Sequence, residues 1–179
     1  MQHQPVCPTA ALQRQSGFTL IEILVASLIL AIGLVGVAGL QALSLKNNQS
    51  AFMRSQATAL AYDLADRMRA NKQAAEAGAY DPANAAFTTG CRTNTGCVPN
   101  TMAQHDLSEW NSLIAEYLPS GQGFVCIDST PNDGADAGSP DCDGNGSQFA
   151  IKLWWDDNRD GAISVAAADN ERQVITFRL

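Results

Sequence analysis

Basic residues are scarce: 11 Lys and Arg stand against 18 Asp and Glu, a formal charge of −7 over 179 residues. So acidic a chain lacks the cationic surface that releases counterions from phosphate, which argues against a nonspecific grip on nucleic acid. Histidine is scarcer still, with only His3 and His105. There is no histidine cluster, glycine-rich phosphate loop or nucleophile elbow, and acids alone do not make a site, so catalysis finds no support. His105 reads as surface flanking a helix. Charge is also missing from one long stretch, with none between Glu22 and Lys46.

What fills that stretch is apolar. From Ile23 to Leu40 every residue is apolar or small except Ser27, roughly the length that crosses a bilayer's hydrocarbon as a helix. A carboxylate at the edge of such a segment, here Glu22, is costly without a cationic partner and reads as functional. Arg14 is the only charge before it. With no acid alongside, it favours an N-terminus in the cytoplasm and everything after about Lys46 outside. An ordinary secretory peptide would be cut after its apolar region, whereas here the small residue Gly17 precedes it.

Gly17-Phe18-Thr19-Leu20-Ile21-Glu22 resembles the class III signal of type IV pilins and pseudopilins. That resemblance implies cleavage by a prepilin peptidase between Gly17 and Phe18, and N-methylation of Phe18. It also implies an assembly role for Glu22, which would meet the N-terminal amine of a neighbouring subunit. An ammonium and a carboxylate buried together in an apolar bundle cost far less than either alone. The domain boundaries follow as a leader over 1–17, a transmembrane and assembly helix over 18–45, and a periplasmic headpiece over 46–179.

Loss of the leader removes Arg14 and leaves a net of −8, and it discards Cys7 and His3. Cys91, Cys97, Cys126 and Cys142 remain, an even number beyond the membrane, which in an oxidising periplasm suggests two disulfides. Three pairings are open in principle. Pairing of sequence neighbours is expected, with Cys126–Cys142 closing a loop of about 15 residues and contributing about 3 kcal/mol in the chain-entropy account. A metal site is the weaker reading, since neither pair has C-x-x-C spacing and no histidine lies nearby.

Past the span, Met53, Ala57, Leu60, Ala61, Leu64 and Met68 recur at helical spacing, while Ser55, Thr58, Tyr62, Asp66 and Arg69 face the other way. The periodicity predicts one helix running to about Ala77 and Gly78, where Tyr80-Asp81-Pro82 stops it. Asp63, Asp66, Arg67 and Arg69 read as a solvated face with i,i+4 pairing. Gly33, Gly36 and Gly39 are either ordinary membrane-helix glycines or a soft spot for packing. Residues 79–103 read as a surface loop stapled by the first cysteine pair. Leu107, Trp110, Ile114 and Leu118 then predict a helix over about 108–118, ended by Pro119, Gly121 and Gly123.

Phe124–Ile127, Phe149–Trp155 and Gln173–Leu179 read as three strands. In the middle one Phe149, Ile151, Leu153 and Trp155 alternate with Ala150, Lys152 and Trp154, as a half-buried strand requires. The two tryptophans cannot face one core, so one is a candidate for a neighbouring subunit or for cover by a loop. The fold class is α+β and pilin-like, a long N-terminal helix whose amphipathic half packs on a C-terminal antiparallel sheet.

Two acidic stretches have the start of a calcium loop. Asp156, Asn158 and Asp160 before Gly161 supply alternate oxygen ligands, but the closing position falls on Ala167 and the nearest acid, Asp169, is out of register. Asp141, Asp143 and Asn145 before Gly146 end similarly on Lys152. Solvated turns make the same pattern without metal. The loop from Asn132 to Gly146 reads as flexible surface pinned by the second disulfide.

Among pilins the likeness is to PilV-type minor pilins, carried by the span Ile23–Leu34, by Gly39-Leu40-Gln41 and by Ala61–Asn71. The Trp110 helix running into Leu118-Pro119, and Trp154-Trp155, add to it. The resemblance implies a non-enzymatic minor pilin, needing no cofactor, with calcium an option at Asp156, Asn158 and Asp160. Its partners would be other minor pilins, the major pilin, the prepilin peptidase and the inner-membrane assembly platform. It would sit in the inner membrane and then in the pilus fibre, helping to initiate assembly. The rival readings are a minor pseudopilin of a type II secretion system, a tip adhesin or calcium-dependent module, and DNA capture through a local basic patch.

Overall fold

The computed structural model describes residues 17–163 and 172–179. The expected leader therefore lies outside the described residues except for Gly17, as do Ala167 and Asp169. The chain divides into two compact units, parting in sequence at Leu45 and Lys46.

The first unit is helical. Helix α1 (Leu20–Ala70) begins here, and an 18-residue window of it has a mean hydropathy of 2.7 with none of it buried. It is the one helix among the described residues long and apolar enough to cross a membrane. Thr19 caps its start, Oγ1 accepting the Glu22 N–H at 3.3 Å, a serine- or threonine-type cap. The Ser27 hydroxyl donates to the Leu24 carbonyl at 2.9 Å, so the one polar side chain in the run is satisfied within its own helix. α1 runs unbroken through Gly33, Gly36 and Gly39, and a Cβ at each would meet nothing within 4 Å.

The second unit is built on the rest of α1. Met53, Ala57, Leu60, Ala61, Leu64, Ala65 and Met68 are buried, so the expected stripe is the packed face. The helix stops sooner than its periodicity suggests. Asn71 leaves helical geometry, its side-chain amide donating to the Pro99 carbonyl at 2.8 Å, and a short α2 (Lys72–Glu76) follows. Asp81 then caps a 3-10 turn over Pro82–Asn84. The second long helix, α3 (Pro99–Tyr117), starts nine residues before the expected Ser108, inside the segment read as loop. Proline at its first turn explains the start, because that position needs no N–H. The apolar face of α3 lies where expected, with Leu107, Trp110, Ile114 and Leu118 buried. The Trp110 indole donates to the Leu60 carbonyl at 2.9 Å and ties α3 to α1.

Strands β1 (Gln122–Ile127), β2 (Phe149–Trp154) and β3 (Arg172–Phe177) form an antiparallel sheet in the order β1-β2-β3. Val125 pairs with Ile151 and Ile151 with Ile175. One face of the sheet joins the core made by α1 and α3, through Val125, Ile151, Leu153, Trp155 and Phe177. Gly123 permits this packing, since a Cβ there would lie 2.4 Å from the Trp110 ring. This is the expected α+β architecture, a long helix packed on an antiparallel sheet.

The opposite face is not solvent-facing, which corrects the half-buried reading of β2. Ala150, Lys152 and Trp154 are all fully buried. The β1–β2 connection is laid against that face; its segment from Asn132 to Gly146 stays at the surface, held by the expected Cys126–Cys142 disulfide and, beyond what was expected, by Lys152 and Arg172. Trp154 and Trp155 are both fully buried, on opposite sides of the strand. The Trp154 Nε1–H finds no acceptor among the described residues.

Candidate functional site

The residues read as the processing and assembly site stand together at the start of α1. Phe18 is exposed just before the helix, and Glu22 sits in its first turn with its own N–H already capped by Thr19. An acid there is favoured by the positive end of the helix dipole. Its carboxylate makes no hydrogen bond or ion pair among the described residues, so it is open to a partner.

The headpiece is held by two polar clusters that the sequence did not reveal. The first centres on Arg67. Its guanidinium reaches Asp63 at 2.9 Å, Asp106 at 3.2 Å and Glu109 at 3.0 Å. Arg92 meets the same Glu109 at 2.6 Å, and the Tyr80 hydroxyl donates to Asp106 at 2.8 Å. Burial raises the carboxyl pKa of Glu109, but hydrogen bonds from Arg67 and Arg92 outweigh it and hold the value below the ordinary one. Burial, with the Asp106 carboxylate beside it, pushes the Tyr80 phenol well above its usual range. Burial weakens the Arg67 charge, and its acidic partners more than restore it.

Arg67 is therefore not part of a merely solvated face. The i,i+4 pair with Asp63 is present, and the Asp66–Arg69 pair at 2.7 Å is the exposed surface contact expected. His105 corrects a second expectation, being 2% exposed rather than at the surface. Its Nδ1 accepts the Thr88 N–H at 3.1 Å, which places its proton on Nε2, 3.2 Å from Glu109. The signal for both was i,i+4 spacing, His105 to Glu109 and Asp63 to Arg67, on helix faces that also carry buried apolar residues.

The second cluster centres on Lys152, whose side chain is fully buried. Its ammonium lies 2.6 Å from the equally buried Asp128 and donates to Asp133 Oδ1 at 2.6 Å and the Pro140 carbonyl at 2.7 Å. The contact to Asp128 is a close ion pair rather than a directed hydrogen bond. The hydrogen bond from Lys152 holds the Asp133 carboxyl below its ordinary value. Arg172 adds donation to the Gly134 carbonyl at 2.8 Å and the Asn132 carbonyl at 2.6 Å. These two cations clasp the β1–β2 connection onto the sheet.

Both disulfides pair sequence neighbours. Cys91–Cys97 spans a Cα separation of 4.7 Å and Cys126–Cys142 one of 6.3 Å. Cys126, Asp128 and Cys142 lie close enough together to hold a metal ion in principle. Their chemistry does not fit one, because the sulfurs are joined to each other and the carboxylate faces Lys152.

The acidic stretches turn on their own amides. Asp156 accepts the Asp160 N–H at 3.2 Å and the Gly161 N–H at 2.9 Å. Asn158 Oδ1 accepts the Asp160 N–H at 2.9 Å, and Asp160 accepts the Ala162 N–H at 2.9 Å. In the second stretch Asp143 accepts from the hydroxyl and N–H of Ser129 and from the Asn145 N–H, which pushes its pKa far below the ordinary value.

A family model described as prokaryotic N-terminal methylation motif matches residues 12–38, the segment holding Gly17, Phe18 and Glu22. A second, described as type IV pilin Tt1218, matches residues 39–108, from the middle of α1 to the middle of α3. No curated protein and no solved structure matches the chain. Pilin families are structural rather than enzymatic, and the methylation motif implies processing by a prepilin peptidase and assembly with other pilins. With the motif, the apolar helix and the helix-on-sheet headpiece agreeing, the chain belongs to the type IV pilins.

Proposed function

We propose that this chain is a minor pilin, similar to the PilV type, that helps to initiate type IV pilus assembly. The prepilin peptidase cuts between Gly17 and Phe18, Phe18 is N-methylated, and residues 18–45 hold the product in the inner membrane. The headpiece, 46–179, stands in the periplasm until extraction into a pilus or its initiating complex. During extraction the apolar helix exchanges lipid for sister helices, and Glu22 pairs with a neighbour's amine.

The observation that carries this reading is the Glu22 carboxylate, unpaired among the described residues, at the head of a helix with no other charge before Lys46. Leaving such a charge unpaired in an apolar bundle is costly, so its retention supports an intermolecular partner. Glu22→Ala is expected to leave cleavage intact while removing the protein from sheared pili. Cleaved Glu22→Ala protein recovered in pili at the wild-type level would contradict the role. Recovery with secretion-system pseudopilins instead of pilus subunits would assign the chain to a type II secretion system. Calcium at Asp156, Asn158 and Asp160 is a separate expectation, checked by whether calcium raises the melting temperature of the protein.

A further inference from the structure

Lys152 is the one lysine of the chain withdrawn from water, since Lys46 and Lys72 are exposed. Its side chain and that of Asp128 are both fully buried, with Nζ and Oδ2 2.6 Å apart, yet no directed hydrogen bond joins them. A nitrogen nucleophile resting on a carboxyl group, with water excluded from both, is the starting geometry for an amide. We propose that Lys152 and Asp128 condense into an isopeptide bond, a covalent cross-link between the residue that follows β1 and the middle of β2.

The groups around the pair suit that reaction. Asp133 Oδ1 lies 2.6 Å from the same nitrogen and is positioned to take a proton from it. The Asp133 side chain is 38% exposed, which gives a released water a way out. On the carboxyl side, the Thr130 N–H donates to Asp128 Oδ1 at 3.0 Å, the oxygen on which negative charge gathers when the nitrogen adds. The Thr130 hydroxyl donates to Asp133 Oδ2 at 2.8 Å and fixes the proton acceptor in turn. The Pro140 carbonyl, accepting from Lys152 at 2.7 Å, and the Cys126–Cys142 disulfide hold the two sides together. In well-oriented intramolecular reactions such proximity is equivalent to about 10⁵–10⁸ M of reactant.

In the proposed step Asp133 accepts one proton from the ammonium, and the freed amine adds to Asp128 Cγ. The Nζ–Cγ bond forms and the Cγ–Oδ2 bond breaks. Oδ2 departs as water with two protons that began on Nζ, one of them passed through Asp133. The third stays on the amide nitrogen, facing the Pro140 carbonyl. The ammonium and carboxylate charges vanish together, so a dry site that penalises both favours the product. No oxidant or activating group is consumed.

The test is the intact mass of the full chain in detergent, followed by tandem mass spectrometry of its reduced tryptic peptides. The expected mass falls short of the sequence mass by one water, once the N-terminus and the two disulfides are counted. The missing water should map to a branched peptide joining residues 128 and 152, with no cleavage after Lys152. Lys152→Met should restore the water. Asp133→Asn, which keeps the nucleophile and the carboxyl group, should leave most chains uncondensed, and Asp133→Glu should recover the bond. A chain with both disulfides and no missing water overturns the inference. So does a water loss that hydroxylamine reverses or that maps to Asp133-Gly134, since that marks a cyclic imide at an Asp-Gly step. Condensation of Asp133→Asn as complete as in wild type overturns the part given to Asp133. None of these outcomes depends on cleavage at Gly17, so failure here and failure of the assembly reading are told apart.

Discussion

Removing the Lys152 ammonium would leave the Asp128 carboxylate buried with no counter-charge. Lys152→Met is therefore expected to destabilise the protein by about 3–5 kcal/mol, the usual cost of breaking a buried pair from one side. Lys152→Met combined with Asp128→Asn should cost less than the two changes summed, because the second relieves the stranded charge. Denaturant unfolding of detergent-solubilised protein checks this, and strict additivity would contradict it. Lys152 also marks the limit of what one residue discloses. A lysine alternating with apolar neighbours reads as the wet side of a strand, and only the distant Asp128, Asp133 and Pro140 carbonyl make its burial tolerable. The motif that holds Gly17, Phe18 and Glu22 was legible because it is local, six residues long, within the segment that the methylation-motif model matches. His105 was not, because its partner Thr88 lies across a loop.

At the level of elements, periodicity recovered what depends on a single face. The α1 stripe, the apolar face of α3, the three strands and their meander could all be read from spacing. What escaped were the boundaries set by tertiary contacts. Asn71 ends α1 because its amide is drawn to the Pro99 carbonyl, and the start of α3 at Pro99 carries no apolar repeat to announce it. The cover over the outer sheet face was hidden for the same reason, as Asp, Gly and Asn compose loose and clasped loops alike.

The Arg67 cluster ties α1, the Tyr80 segment, the first disulfide loop and α3 together, and it gives the fold a pH dependence with a definite sign. The pKa of Glu109 is depressed in the folded state, below its ordinary value of 4.5. Its contribution is present above that value and is lost as pH falls through the folded one. The melting temperature should therefore drop as pH falls below about 4.5, and Glu109→Gln should flatten that acid limb while lowering stability at neutral pH. An unchanged acid limb in the variant would contradict the assignment. Asp133 is lowered too and adds to the same limb, so flattening is expected to be partial.

For the whole molecule, the two units divide the labour of a pilin. In the proposed function, an apolar helix with one carboxylate at its head would serve membrane and filament in turn, since both offer an apolar surround and the filament would add a cationic partner. The headpiece spends its polar residues on its own rigidity. Arg67, Lys152, two disulfides and the clasped β1–β2 connection fix the surface that neighbouring subunits would meet, and a preordered surface loses less entropy on association. The central claim is that this chain is made as a precursor and enters assembly as a processed pilin. Its most direct test is the intact mass of the protein from cells with and without the prepilin peptidase, for wild type and a Gly17 substitution. The account predicts a product that begins at Phe18 and carries one added methyl, lost without the peptidase and lost when Gly17 is replaced. A full-length chain indifferent to both would contradict it.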